Sequence, residues 1–243
     1  MHLLASLLTL AVTSSSAAQK PAIVLVHGAF ADASSWSKII PLLEKDGYFV
    51  TAVQIPLTSL PDDVAAAKRV IDAQKGPVVV VGHSYAGAVI TDAAGGNANV
   101  KSLVYVNAFA PDATETTAEA GNKFPQPPLN SALIPDAAGF LYIDRAKVHD
   151  VFCKDIPASD ARIIAATQKP LNKSVFDAKV ANVAWKTIPS WYIVGKEDRA
   201  INPDLERFYA KRMKAKTTEL KSSHVPFLSH PQEVIKVIEE AAR

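Results

Sequence analysis

One cysteine, Cys153, stands in 243 residues, so no intramolecular disulfide can form and an exported form would have to fold without one. As a lone thiol it reads as a small apolar helix residue rather than a reactive centre. Charge of one sign is also scarce. The 26 Lys and Arg against 24 Asp and Glu leave a net +2, and no basic block is dense enough to track phosphates. Nucleic acid and anionic membrane are therefore not expected as partners. No apolar run is long enough to span a bilayer. No His, Cys, Asp or Glu cluster has metal-ligand spacing, and no glycine-rich loop suits a phosphate or dinucleotide, since Gly95-Gly96 reads as a helix C-terminus. No metal or cofactor is expected. Gly/Ser-rich and Pro-rich tracts are missing too, which excludes a linker dividing the chain.

What remains is a chain of 49% apolar and 21% charged residues, long enough for one domain with a substantial core. Its N-terminus differs in character. Leu3 to Val12 is apolar, and the small residues Ser14 to Ala18 offer a cleavage site after Ala18, with Ser16 and Ala18 at the small-residue positions. Residues 1–18 are expected to be a signal peptide, and the mature protein to be exported, periplasmic or secreted. Only His2 precedes the apolar run, so the usual positive segment is missing. A short hydrophobic helix docked on the domain is the competing reading.

From residue 22 onward, strands and helices alternate. Ala22 to Val26, Tyr48 to Val53, Val78 to Val81 and Leu103 to Val106 read as strands. Between them, Trp36 to Leu43, Pro61 to Ile71 and Tyr85 to Ala94 carry helical spacing. The alternation resumes with Trp191 to Val194, a helix over Asp204 to Met213, a strand over Thr217 to Leu220 and a helix over Pro231 to Ala242. Strands apolar on both faces, separated by helices, predict a mostly parallel, doubly wound α/β sheet. Pro111 to Pro189 shows helical patterns, clearest at Arg145 to Phe152 and Ser159 to Thr167, but no convincing buried strand. It is expected to be a helical cap over the sheet edge where such folds bind ligands.

Four signals carry chemistry. Val78 to Val81 runs into Gly82-His83-Ser84-Tyr85-Ala86-Gly87, the strand–turn–helix setting of a nucleophile elbow, with small residues flanking the serine. Ala86 stands where glycine is usual. An ordinary helix N-cap serine is the alternative. His27-Gly28-Ala29-Phe30 ends the first strand, where Ala29 would offer one oxyanion N–H and Tyr85, after the nucleophile, the other. His27 itself is expected to brace that loop. Glu197 and Asp198 follow a strand, and either could orient a histidine. His224 follows the last strand, the one histidine of six in the right place for the order Ser, acid, His. His230 reads as a helix cap.

These motifs, with Leu25 to Trp36, resemble the α/β-hydrolase superfamily throughout the chain after residue 18. They look closest to the bacterial branch related to plant methylesterases and hydroxynitrile lyases. The resemblance implies an α/β-hydrolase fold with residues 111–189 as cap, Ser84, Asp198 and His224 as catalytic triad, and Ala29 and Tyr85 as oxyanion donors. The lyases of that branch carry threonine after the first-motif histidine and lysine after the catalytic histidine. Here those positions are Gly28 and Val225, which favours hydrolysis of a small carboxylic ester. A lyase on the same site and a non-catalytic ligand-binding protein are the competing readings. Phe30, Tyr85, Phe124, Phe140 and Trp185 are the aromatic candidates for the substrate pocket, and each would serve equally as cap core.

Overall fold

The computed structural model describes residues 20–243, so the expected export segment lies outside the described residues. Six parallel strands form the central sheet in the order β2-β1-β3-β4-β8-β9. They are β1 (Ala22–Val26), β2 (Val50–Val53), β3 (Val78–His83), β4 (Val100–Val106), β8 (Ser190–Gly195) and β9 (Lys216–Leu220). β3 is buried at every position, and its Val78-Val79-Val80-Val81 run is what a central strand covered on both faces requires. The flanking helices are α1 (Ile40–Lys45), α2 (Leu60–Asp72), α3 (Ala86–Ala93), α7 (Pro203–Arg212) and α9 (Pro231–Ala241). Ser59 caps α2 by accepting from the Asp62 N–H, and Pro61 sits in the first turn, where no donor is lost. The expected helix over Trp36 to Leu43 is broken: a 3₁₀ turn (Ala33–Trp36) precedes α1, and Gly47 (φ 82°) ends it.

The segment between β4 and β8 departs from expectation. It holds the short helices α4 (Thr117–Gly121) and α5 (Val148–Val151) and the longer α6 (Ala158–Thr167). It also holds a three-stranded antiparallel sheet of β5 (Leu133–Pro135), β6 (Phe140–Ile143) and β7 (Leu171–Asn172). The cap is therefore mixed rather than helical. Its strands are two to four residues long and none of them is fully buried, so they lack the apolar run that marks a core strand. The expected helix over Arg145 to Phe152 shrinks to one turn.

Order in the sheet sets the position of the site. β1, β3, β4, β8 and β9 all end at the same edge, and each releases one loop there: Ala29, Ser84, Asn107, Asp198 and His224 follow their C-terminal ends. This is the edge at which open α/β sheets bind ligands. A further helical turn, α8 (Pro226–Ser229), separates His224 from α9.

Candidate active site

Ser84 sits at the turn between β3 and α3 with φ of 55°, a left-handed conformation that costs a non-glycine residue about 1–3 kcal/mol. The surroundings hold it there. Its N–H donates to Val106 O (3.1 Å), and its carbonyl accepts from Gly87 (3.0 Å) and Phe109 (3.1 Å). The turn leaves no room for side chains around it. A Cβ on Gly28 would lie 2.6 Å from the Ser84 Cβ and 2.9 Å from His83 O, and one on Gly87 would lie 2.1 Å from Phe109 O. The helix that follows takes Tyr85 as its cap residue, and no side chain caps it. Ser84 is therefore not an ordinary N-cap serine.

Asp198 is buried, and its carboxylate accepts four hydrogen bonds. Oδ2 accepts from His224 Nδ1 (2.6 Å) and Asn107 Nδ2 (2.9 Å), and Oδ1 from the backbone N–H groups of Ala200 (2.7 Å) and Ile201 (3.0 Å). Burial alone would push this carboxyl up, but the facing His224 and the hydrogen bonds outweigh it and hold it at about 2. A carboxylate can only accept, so His224 Nδ1 carries the proton and Nε2 of the neutral ring is free to act as a base. Nε2 has no partner among the described residues, so no Ser84–His224 hydrogen bond is formed here. Such bonds are often long without substrate and tighten when it binds.

The other histidines brace the site. His27 Nε2 accepts from the Ile55 N–H (3.2 Å), so its Nδ1–H donates to Gly28 O (2.9 Å), and burial pulls it down to about 4. It holds the loop that carries Ala29, as expected. His83 donates from Nε2 to the His224 carbonyl (2.8 Å), and the two rings lie 4.6 Å apart. Burial keeps His83 well below its usual range, so this contact stitches the serine turn to the histidine loop without adding charge. His149 bonds Ile156 O in the cap, and His230 is the N-cap residue of α9, as expected, with its side chain on Ser229 Oγ rather than on the helix backbone.

The backbone N–H groups of Ala29 and Tyr85 donate to no carbonyl or side chain among the described residues. The Tyr85 hydroxyl donates to the buried Asp63 of α2 (2.8 Å). Of the expected pocket aromatics, Phe30 alone borders the cavity beside the site. That cavity, about 260 Å³, runs from Phe30, His83 and Val225 to Ile163 and Ile164 of α6. Phe124 packs on Phe208, and Phe140 pairs with Asn172 in the small sheet. Trp185 is buried, with its indole N–H on Pro111 O (3.1 Å) and Arg212 over its ring. None of these three walls the cavity, because each meets a nearer partner in the cap or on α7.

Four residues at the site went unread. Phe152 of the cap lays its ring 4.9 Å from that of His224. Asp155 accepts from the N–H (2.9 Å) and hydroxyl of Ser223. Asn107 is the first residue after a buried strand, a position where a polar side chain is informative. Glu206 shares the buried face of α7 with Leu205, Tyr209 and Ala210. A carboxylate on an apolar helical face is its signal.

Cys153 is buried, as expected of a small apolar residue, but it lies just beyond α5 rather than within a helix, and burial pushes the thiol up to about 12.

A model of the alpha/beta hydrolase family matches residues 23–237. The chain belongs to the alpha/beta hydrolase family. It is 28% identical to an alpha/beta hydrolase of Aspergillus novofumigatus over 92% of this chain and 97% of that one. It is 25% identical to methylesterase 8 of Arabidopsis thaliana over 93% and 91% of the two chains. Against the alpha-hydroxynitrile lyase of the same plant it is 34% identical, over 43% of this chain and 46% of the lyase. The fold matches the crystal structure of polyneuridine aldehyde esterase with a TM-score of 0.80 at 20% identity, covering 93% of this chain and 100% of that one. As a hydrolase of this family the chain carries its five candidate groups on one sheet edge.

Proposed function

We propose that this hydrolase cleaves a small carboxylic ester through an acyl-enzyme on Ser84. The observation that carries the reading is the 2.6 Å Asp198–His224 pair, stitched through His83 to a serine held in a strained turn. Ser84 Oγ attacks the ester carbonyl while His224 Nε2 takes its proton. The carbonyl oxygen gains the negative charge between the N–H groups of Ala29 and Tyr85. Collapse breaks the ester C–O bond, and His224 returns the proton to the departing alcohol. Water then attacks the acyl group by the same route and releases the acid and free Ser84.

The methylesterase and the lyase among the relatives pull the reaction type in opposite directions, and position 28 separates them. The lyases this chain resembles carry threonine there. In this structure even a Cβ would overlap Ser84, and Val225 puts an apolar, buried side chain where those lyases have lysine. A cyanohydrin would find neither a hydroxyl partner nor a cation for cyanide. Each unpaired polar group in a buried pocket costs on the order of 1–3 kcal/mol. Turnover of p-nitrophenyl acetate and of mandelonitrile, each with Ser84→Ala as control, tests the assignment. The expected result is Ser84-dependent ester cleavage with cyanide release at background. Ser84-dependent cyanide release without esterase activity would reverse it.

The pattern of residues 1–18 supports export of the protein, which an N-terminus near Gln19 in the native protein would bear out and an intact Met1 would refute.

A further inference from the structure

The Asp198 carboxylate has a second carboxyl as its neighbour. Glu206 is wholly buried on the inner face of α7. Its Oε2 accepts the Gly195 N–H at 3.0 Å, and its carboxyl lies within hydrogen-bonding reach of that of Asp198. Oε1 is buried and has no N–H or hydroxyl donor among the described residues. Two carboxylates this close in a buried setting cannot both be ionised. Asp198 is served by four N–H donors, whereas Glu206 has one. The remaining proton therefore belongs on Glu206, whose unpartnered oxygen is free to carry it.

We propose that Glu206 is a positioning residue that stays a neutral carboxylic acid through turnover and donates its O–H to Asp198. This rests on the reading of His224 as the base. A donor on Asp198 spreads the charge that His224 faces, so Glu206 tunes how strongly the pair holds the proton taken from Ser84. Burial and the charge on Asp198 push the Glu206 carboxyl well above the usual carboxylate range, in agreement with the geometry. The other titratable groups facing it do not supply a counter-charge. Tyr192 of β8 gives its hydroxyl to Ala108 O, and the Tyr209 hydroxyl on α7 is without a partner among the described residues. Arg207 of α7 is turned outward to Glu219 and Asp204.

Glu206→Gln and Glu206→Met separate this from its alternatives. The amide can accept from Gly195 and donate to Asp198, so Glu206→Gln should keep kcat/KM and the acid limb of its pH profile close to the parent. Glu206→Met removes the donor. It should lower kcat/KM about 10-fold and move the acid limb to higher pH, because an undersolvated Asp198 holds the imidazolium more tightly. Were Glu206 ionised, Glu206→Gln would delete a negative charge and move the acid limb down by about one unit or more. A merely structural Glu206 would leave the acid limb of Glu206→Met in place. Either result would overturn the proposal. Infrared spectra of the resting protein labelled with ¹³C-glutamate decide the point independently of turnover and of variant folding. An isotope-shifted carboxylic acid band persisting at neutral pH is expected, and its absence would refute a neutral Glu206. Failure of the catalytic reading would show instead as Ser84→Ala retaining hydrolysis, with the infrared band unaffected.

Discussion

Asp155, in the cap, holds both the backbone N–H and the hydroxyl of Ser223, the residue immediately before His224. The cap is thereby tied to the loop that carries His224, and Phe152 three residues earlier packs against the His224 ring. Asp155→Ala should free the loop and lower kcat by roughly 10- to 100-fold, the usual consequence of small misplacement of a reacting group. Folding stability should fall much less. Steady-state kinetics beside a thermal melt checks this, and an unchanged kcat would show that the clasp does not position the base.

The turn at Ser84 makes a prediction about stability that is independent of chemistry. At φ of 55°, alanine keeps the backbone strain and glycine relieves it, at the cost of greater freedom in the unfolded chain. Ser84→Gly should be inactive and at least as stable as Ser84→Ala, with a melting temperature higher by about 2 °C. A glycine variant clearly less stable than the alanine variant would mean that the turn is not strained.

Much of this fold was legible because β3 opens on the uninterrupted apolar run Val78 to Val81, because β4 closes on Leu103 to Val106, and because small residues crowd the serine. The candidate triad was legible for the same reason: each member follows a strand, and strand ends can be read from hydropathy. The choice between Glu197 and Asp198 could not be read from spacing. The structure leaves the Glu197 side chain about half exposed and 3.9 Å from Lys221, while Asp198 is buried on His224. The small sheet of the cap stayed hidden because its strands are short and half exposed. For Phe124, Phe140 and Trp185 the choice between pocket and cap core could not be read, because an aromatic side chain carries no record of which partner it meets. Asn107 and Asp155 act through contacts 68 to 116 residues away, and Glu206 through one 11 residues back at the end of β8, which local pattern does not encode.

Asp198→Asn should keep the shape of the site but present a donor to Nδ1, favouring the wrong imidazole tautomer. A loss of about 10⁴ in kcat is expected. Glu197→Gln removes only a surface charge and should change kcat by less than about two-fold. Kinetics of the two variants side by side decides the matter, and the reverse ranking would move the orienting acid to Glu197.

Asp63 links the oxyanion region to pH. Its carboxyl accepts from Leu57 N–H (2.6 Å) and Tyr85 Oη, and burial, outweighing these hydrogen bonds, pushes it up to about 6. Between about pH 4, the unfolded carboxylate range, and pH 6 the folded chain holds this proton more tightly than the unfolded chain does. Stability from this group is therefore full below that window and lost as pH rises through it. Asp63→Asn keeps a neutral side chain of the same shape and should flatten the fall in stability over that interval. Denaturant melts across pH 4 to 8 measure it, and an unchanged slope would show that Asp63 is not the group responsible.

The central claim is that Ser84 is the nucleophile and that the folded site activates it. Incubation with a fluorophosphonate, followed by peptide mapping by mass spectrometry, tests this most directly, since the reagent phosphonylates an activated serine and displaces fluoride. The account predicts stoichiometric loss of esterase activity, a single adduct on the peptide containing Ser84, and no labelling after heat denaturation or in Ser84→Ala. Labelling that survives denaturation, an adduct on a different residue, or full esterase activity in Ser84→Ala would contradict it.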